Sequence, residues 1–101
     1  MAKGYWIVRV SVRDATQYPA YLEAAKPAFE KYGARFLVRG GRYLAKEGLA
    51  RDRNVVVEFR DYDTAITCYH SPEYQTARAI RMAHADADFL IVEGAPAQTV
   101  S

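Results

Sequence analysis

The chain is poor in the residues that build metal centres and covalent frameworks, with one cysteine and two histidines. A lone Cys68 excludes an intramolecular disulfide and a cysteine-built metal site, and it demands no oxidising compartment. His70 and His84 are fourteen positions apart, neither in a compact cluster with other ligand types, so no metal is expected and one histidine is a poor warrant for haem. Gly-rich phosphate cradles between a strand and a helix are missing, as is a Gly-x-Ser-x-Gly elbow. No cofactor and no covalent nucleophile are therefore expected. No stretch approaches the roughly 20 apolar residues that span a bilayer, and no basic start leads into an apolar run. The expectation is a cytoplasmic protein with no membrane partner. Charge of one sign is scarce too: 14 Lys and Arg against 12 Asp and Glu leave +2. That is too thin a field for unspecific nucleic-acid binding. The arginines at 35, 39, 42, 51 and 53 read as a solvated face.

What is present is enough for one core. Half of the 101 residues are hydrophobic and eight are tyrosines, the profile of a single folded domain over 1–101. Tyr5 to Val12, rich in β-branched and aromatic types, reads as a strand, with Trp6, Val8, Val10 and Val12 on one face. Asp14 or Thr16 is placed to cap a helix whose apolar stripe is Tyr18, Leu22, Ala25, Phe29 and Tyr32. Pro27 lies inside that stripe, and Gly33 suits a left-handed helix end. Arg35 to Arg39 form a second strand, Gly40-Gly41 a turn, and Arg42 to Glu47 a short extension pairing back. After a polar loop from Gly48 to Arg53, Asn54 to Phe59 form a third strand. Asp61 caps a helix carrying Tyr62, Ile66 and Tyr69. Ser71-Pro72 breaks that helix and starts a new segment to about His84. Phe89 to Glu93 close the chain as the last strand.

The order β-α-β-β-α-β is that of a ferredoxin-like α+β fold, an antiparallel sheet with two helices on one face. Neither face of its strands is polar. Tyr5, Ile7, Val56, Phe89 and Ile91 are assigned to a second apolar face, which on so small a chain calls for a partner. The expectation is a homodimer through sheet faces.

Several segments together resemble the DUF1330 family: Lys3-Gly4-Tyr5-Trp6-Ile7, Phe36-Leu37-Val38-Arg39-Gly40-Gly41, Asn54-Val55-Val56-Val57-Glu58-Phe59, Cys68-Tyr69-His70-Ser71-Pro72-Glu73-Tyr74-Gln75 and Ile91-Val92-Glu93-Gly94. The resemblance implies a dimeric α+β barrel, in which two sheets pack face to face with the helices outside. That superfamily includes cofactor-independent monooxygenases, muconolactone isomerases and haem-binding members, so the resemblance implies architecture more than a reaction.

Candidate chemistry falls on the last helical segment, where Tyr74, Ala77, Ile80, Arg81 and His84 share a side. A tyrosine, an arginine and a histidine beside an apolar stripe suit a pocket between helix and sheet. Arg81 would bind an anionic group, His84 or Tyr74 would exchange a proton, and Arg39, beside the flexible Gly40-Gly41, would supply a second anion contact. The bland alternative has Arg81 and Tyr74 snorkelling at the rim and His84 serving the helix end. Arg9, Arg39, Glu58 and Glu93 read as one sheet face of cross-strand ion pairs. An RNA-recognition module shares the element order, but its stacking positions hold Asn54 and Val56, so no nucleic-acid partner is expected. Two functions stay open: a cofactor-independent enzyme, monooxygenase- or isomerase-like, on a small aromatic or enolisable acid, and a non-catalytic small-ligand-binding or structural homodimer.

Overall fold

Large side chains on both faces, Trp6, Val8 and Val10 against Tyr5 and Ile7, make Gly4–Val12 (β1) a strand, and pairing on both edges puts it inside the sheet. The computed structural model describes residues 2–96, so the ends of a domain over 1–101 lie outside the described residues. After β1 come the helix Tyr18–Tyr32 (α1), the strands Arg35–Arg39 (β2) and Arg53–Phe59 (β3), the helices Tyr62–His70 (α2) and Pro72–His84 (α3), and the strand Ala85–Glu93 (β4). The sheet order is β2-β3-β1-β4, with every pairing antiparallel. This is the ferredoxin-like arrangement, with the helices over one face of the sheet.

Local rules account for most boundaries. Gly33 ends α1 with φ 65°, the left-handed conformation glycine adopts without a Cβ penalty. Asp61 caps α2 by accepting a hydrogen bond from the Thr64 N–H at 2.7 Å. Ser71 Oγ accepts from the Tyr74 N–H at 3.2 Å, and Pro72 occupies the start of α3. Pro27 stands inside α1 without ending it. Neither Asp14 nor Thr16 caps α1: Asp14 Oδ1 instead accepts from the N–H and hydroxyl of Thr16, closing a local turn one step too early.

Three further expectations need correction. Arg42 to Glu47 pair with nothing, and residues 40–52 form a loop. In α2 the buried residues are Thr64, Ala65 and Cys68, while Tyr62 is exposed. Small side chains bring this helix close enough for Trp6 Nε1 to donate to the Ala65 carbonyl at 2.9 Å. The last strand begins at Ala85, and its register pairs Val8 with Phe89 and Trp6 with Ile91. Phe89 and Ile91 therefore lie under the helices, and Leu90 and Val92 take the open face.

The core lies between sheet and helices. Trp6 is its hub, with ring centroids of Tyr74, Phe59, Phe89 and Phe29 at 4.8, 5.0, 5.0 and 5.7 Å. The open face carries Tyr5, Ile7, Val38, Val56, Leu90 and Val92. Ile7, Leu90 and Val92 are 38, 52 and 37% exposed. At one end of this face Arg9 and Arg51 both pair with Asp88, at 3.0 and 2.9 Å. Glu58 shares the face and accepts from the Tyr5 hydroxyl. Arg39 and Glu93, expected there too, register with Val55 and Gly4 on the helix side.

Candidate functional site

The Ser71-Pro72 break sets the phase of α3, turning Tyr74, Ala77 and Arg81 inward. Across from them α1 presents Tyr18, Tyr21 and Leu22. The sheet supplies Trp6, Val8, Val10, Val55 and Val57 as a floor, and Phe36, Arg39 and Arg53 close the β2 side. The cleft between these walls has a cavity volume of about 30 Å³. That holds a carboxylate-sized group, so the body of any larger ligand must run out towards solvent.

Three arginines and no acidic residue line this cleft, whose surface is otherwise mostly apolar. Arg81 is 5% exposed. Its guanidinium carbon lies 5.5 Å from the centre of the Phe89 ring and 5.9 Å from that of Tyr21. Among the described residues no acidic group pairs with Arg81, and its Nε is buried without a hydrogen-bond partner. Arg53 Nε is buried and unpartnered in the same way, with its guanidinium 5.8 Å from the Tyr18 ring centre. Arg39 lies over Phe36 at 4.0 Å, on an exposed stretch of β2. Neither Arg81 nor Arg53 has an acidic partner among the described residues, so both guanidinium charges go uncompensated by a carboxylate there.

The phenols supply hydrogen bonds and no negative charge. Tyr21 and Tyr74 join hydroxyl to hydroxyl at 2.9 Å. Burial pushes the Tyr21 pKa well above its ordinary value, with the neighbouring Tyr74 adding to the shift. Tyr74 and Tyr18 are also raised by burial, against the pull of Arg81 on the first and Arg53 on the second. Burial works against the charge on Arg81, but its tyrosine neighbours outweigh it and the guanidinium stays protonated.

The residues singled out from the sequence separate into two groups. Arg81 and Arg39 meet at the cleft. Tyr74 is fully buried behind Tyr21 and meets the cleft through the Tyr21 hydroxyl and the Arg81 guanidinium. His84 stands apart at the end of α3, its Nδ1 4.0 Å from Asp14 Oδ2. The Arg13 and Asp14 N–H groups donate to its carbonyl at 2.9 and 3.1 Å, holding the helix end beneath the chain that leaves β1. Tyr18, Tyr21 and Arg53 are the lining residues that the sequence reading did not select. Arg53 shares strand parity with Val55, Val57 and Phe59, which was the available signal that it faces inward. The expected solvated arginine face holds in part: Arg35, Arg39 and Arg42 are exposed, while Arg53 lines the cleft, Arg39 borders it and Arg51 binds Asp88. The Arg39-Gly40-Gly41 turn also has a different use. Gly40 has φ 67°, and a Cβ there would lie 2.5 Å from Arg53 Nη1, so the glycine leaves room for that guanidinium. Among the described residues no three histidine, cysteine, aspartate or glutamate side chains gather around a point where one ion could sit.

The model of DUF1330, a domain of unknown function, matches residues 3–95. No curated protein matches the sequence. Among solved structures, a protein of unknown function from Rhodopseudomonas palustris aligns with a TM-score of 0.75 at 19% identity, covering 95% of this chain and 85% of that one. SnoaB, a cofactor-independent oxygenase from Streptomyces nogalater, aligns with a TM-score of 0.64 at 14% identity, covering 99% of this chain and 98% of that one. A dimeric protein of unknown function with a ferredoxin-like fold from Bacteroides fragilis gives 0.55 at 16%, covering 90% and 95%. At such identities the likeness is one of fold.

Proposed function

From the premise that this chain belongs to the DUF1330 family, we propose that it binds a small acidic molecule in the cleft between α1, α3 and the sheet. Arg81 is the counter-charge. The observation that carries this reading is a guanidinium 5% exposed with no carboxylate partner among the described residues. A carboxylate set against this guanidinium supplies the missing counter-charge in a charge-assisted contact. An aromatic or enolisable body would leave the cleft past the rings at its mouth. A catalytic, cofactor-independent version is compatible with the same geometry: Arg81 holds an enolate oxygen, and the Tyr21 hydroxyl, backed by Tyr74, donates a hydrogen bond to it. The lining residues include no aspartate, glutamate or histidine to abstract a proton. We therefore put binding first and catalysis second. A single buried thiol, Cys68, suits a single-domain protein at work in the cytoplasm.

A thermal-shift screen of small carboxylates and phenols tests the reading. A carboxylate at about 100 times its Kd should stabilise the fold by roughly 2.7 kcal/mol, and Arg81→Met should abolish the shift. If no carboxylate moves the melting temperature, or if the shift survives Arg81→Met, the reading is wrong.

The open sheet face supports a second statement, that two copies associate through Tyr5, Ile7, Val38, Val56, Leu90 and Val92. Its support is the half-exposed state of these apolar side chains on an otherwise well-packed sheet. Light scattering should give twice the 11.4 kDa chain mass, and Leu90→Arg should return it to one chain. A wild-type monomer at micromolar concentration removes this statement and leaves the cleft untouched.

A further inference from the structure

We infer that the cleft selects ligands bearing two acidic groups, the inner one held by Arg81 and the outer one by Arg53 with Arg39 at the mouth. The inference rests on the anion-binding reading above and adds the charge and shape of the ligand. Its first ground is the charge of the walls. Three arginines and no acid line the cleft. The phenols there stay neutral, so one carboxylate leaves two positive charges in a largely apolar cleft. A dianion leaves one, on the exposed arginine.

The second ground is that the two arginines stand on different walls. Arg81 comes from α3, and Arg53 from the first position of β3, and among the described residues neither has an acidic partner. One carboxylate satisfies one such guanidinium fork. The third ground is that the Arg53 guanidinium packs against the turn at Gly40, where a Cβ would stand 2.5 Å from Nη1. Arg39, the next residue along, is fixed over Phe36 at 4.0 Å. The corner between β2 and β3 thus holds two cations at the mouth, while Arg81 lies deeper. The ligand that fits has acidic groups at both ends of a short apolar or aromatic body.

Calorimetric titration at constant ionic strength decides the matter, with butyrate against glutarate, benzoate against isophthalate, and inorganic phosphate. The dicarboxylates should bind about ten- to a hundredfold more tightly than their monocarboxylate counterparts, the range of one additional charge-assisted contact. Arg53→Gln should erase that difference and leave butyrate and benzoate within about threefold of wild type. Arg81→Met should weaken every ligand, with circular dichroism confirming that both variants are folded. Equal affinity for mono- and dicarboxylates overturns this inference while the anion-binding reading stands. Selectivity that survives Arg53→Gln also overturns it. Phosphate binding without dicarboxylate binding replaces two acidic groups by one doubly charged group and overturns it as well. If none of the five binds, both readings fall together.

Discussion

Exchanging Arg81 for methionine should make the ligand-free protein more stable. A guanidinium taken out of water without a counter-ion costs several kcal/mol even after the surroundings relax. What the structure returns is limited. At neutral pH, where the phenols are uncharged, two aromatic faces at 5.5 and 5.9 Å give about 0.5–1 kcal/mol each, the Tyr74 hydroxyl accepts a hydrogen bond worth about 0.5–1.5 kcal/mol, and Nε has no partner. Methionine is long and flexible enough to fill the same channel between Tyr21 and Phe89, and burying it contributes about 1.5–3 kcal/mol. Tyr74 keeps the Tyr21 hydroxyl as partner, so the exchange leaves no orphan phenol. The expected net gain is about 1–3 kcal/mol. For a domain of this size that raises the melting temperature by roughly 5–15 °C. The assay is calorimetric or dichroic melting in a buffer free of carboxylates, checked by urea denaturation. A lower melting temperature would refute the reasoning, because it would make Arg81 a strut for the surrounding rings and not a group waiting for a ligand.

Two more outcomes follow from the same packing. Tyr21→Phe leaves the fully buried Tyr74 hydroxyl without its 2.9 Å partner and should cost about 1–3 kcal/mol in urea denaturation. The double change with Tyr74→Phe should cost less than the two single changes added together, and strict additivity would show that the pair is not coupled. Burial pushes the Cys68 thiol up to about 12, so thiol reagents at pH 8 should label the folded protein only as fast as it opens, and rapid labelling contradicts the structure. Because that value is raised in the folded state, the stability tied to the neutral thiol is complete below its ordinary pKa of 9.0 and declines as pH climbs towards about 12.

Features governed by neighbours in sequence were legible without a structure. Gly33, Asp61 and Ser71-Pro72 act within one turn of chain, and all three do in the fold what their residue types dictate. The register of β4 was not legible. When both faces of a strand are apolar, alternation alone does not say which parity goes inward, and only the pairing of Val8 with Phe89 decides it. In α2 the large residues divide. Tyr69 packs its ring against Trp6 and Phe89, the small Ala65 and Cys68 are fully buried, and Tyr62 lies outside. At the cleft, Arg81 and Tyr74 showed themselves by helical spacing. Tyr21 and Arg53 come from elements far apart in sequence, and their meeting is a product of the tertiary fold. His84 follows Arg81 by one turn, but there the helix ends and Asp14 holds its ring outside the cleft.

The position of Trp6 gives the protein an optical readout of its own. The chain has one tryptophan. It is shielded from water, its indole N–H is committed to the Ala65 carbonyl, and its ring borders the cleft while touching aromatic residues beneath the helical layer. Its emission should therefore be blue-shifted in the folded state and should redden on unfolding. A charged guest settling beside the indole should change the intensity without that reddening. Wavelength and intensity thus separate loss of fold from occupancy of the cleft, in one cuvette and without a label.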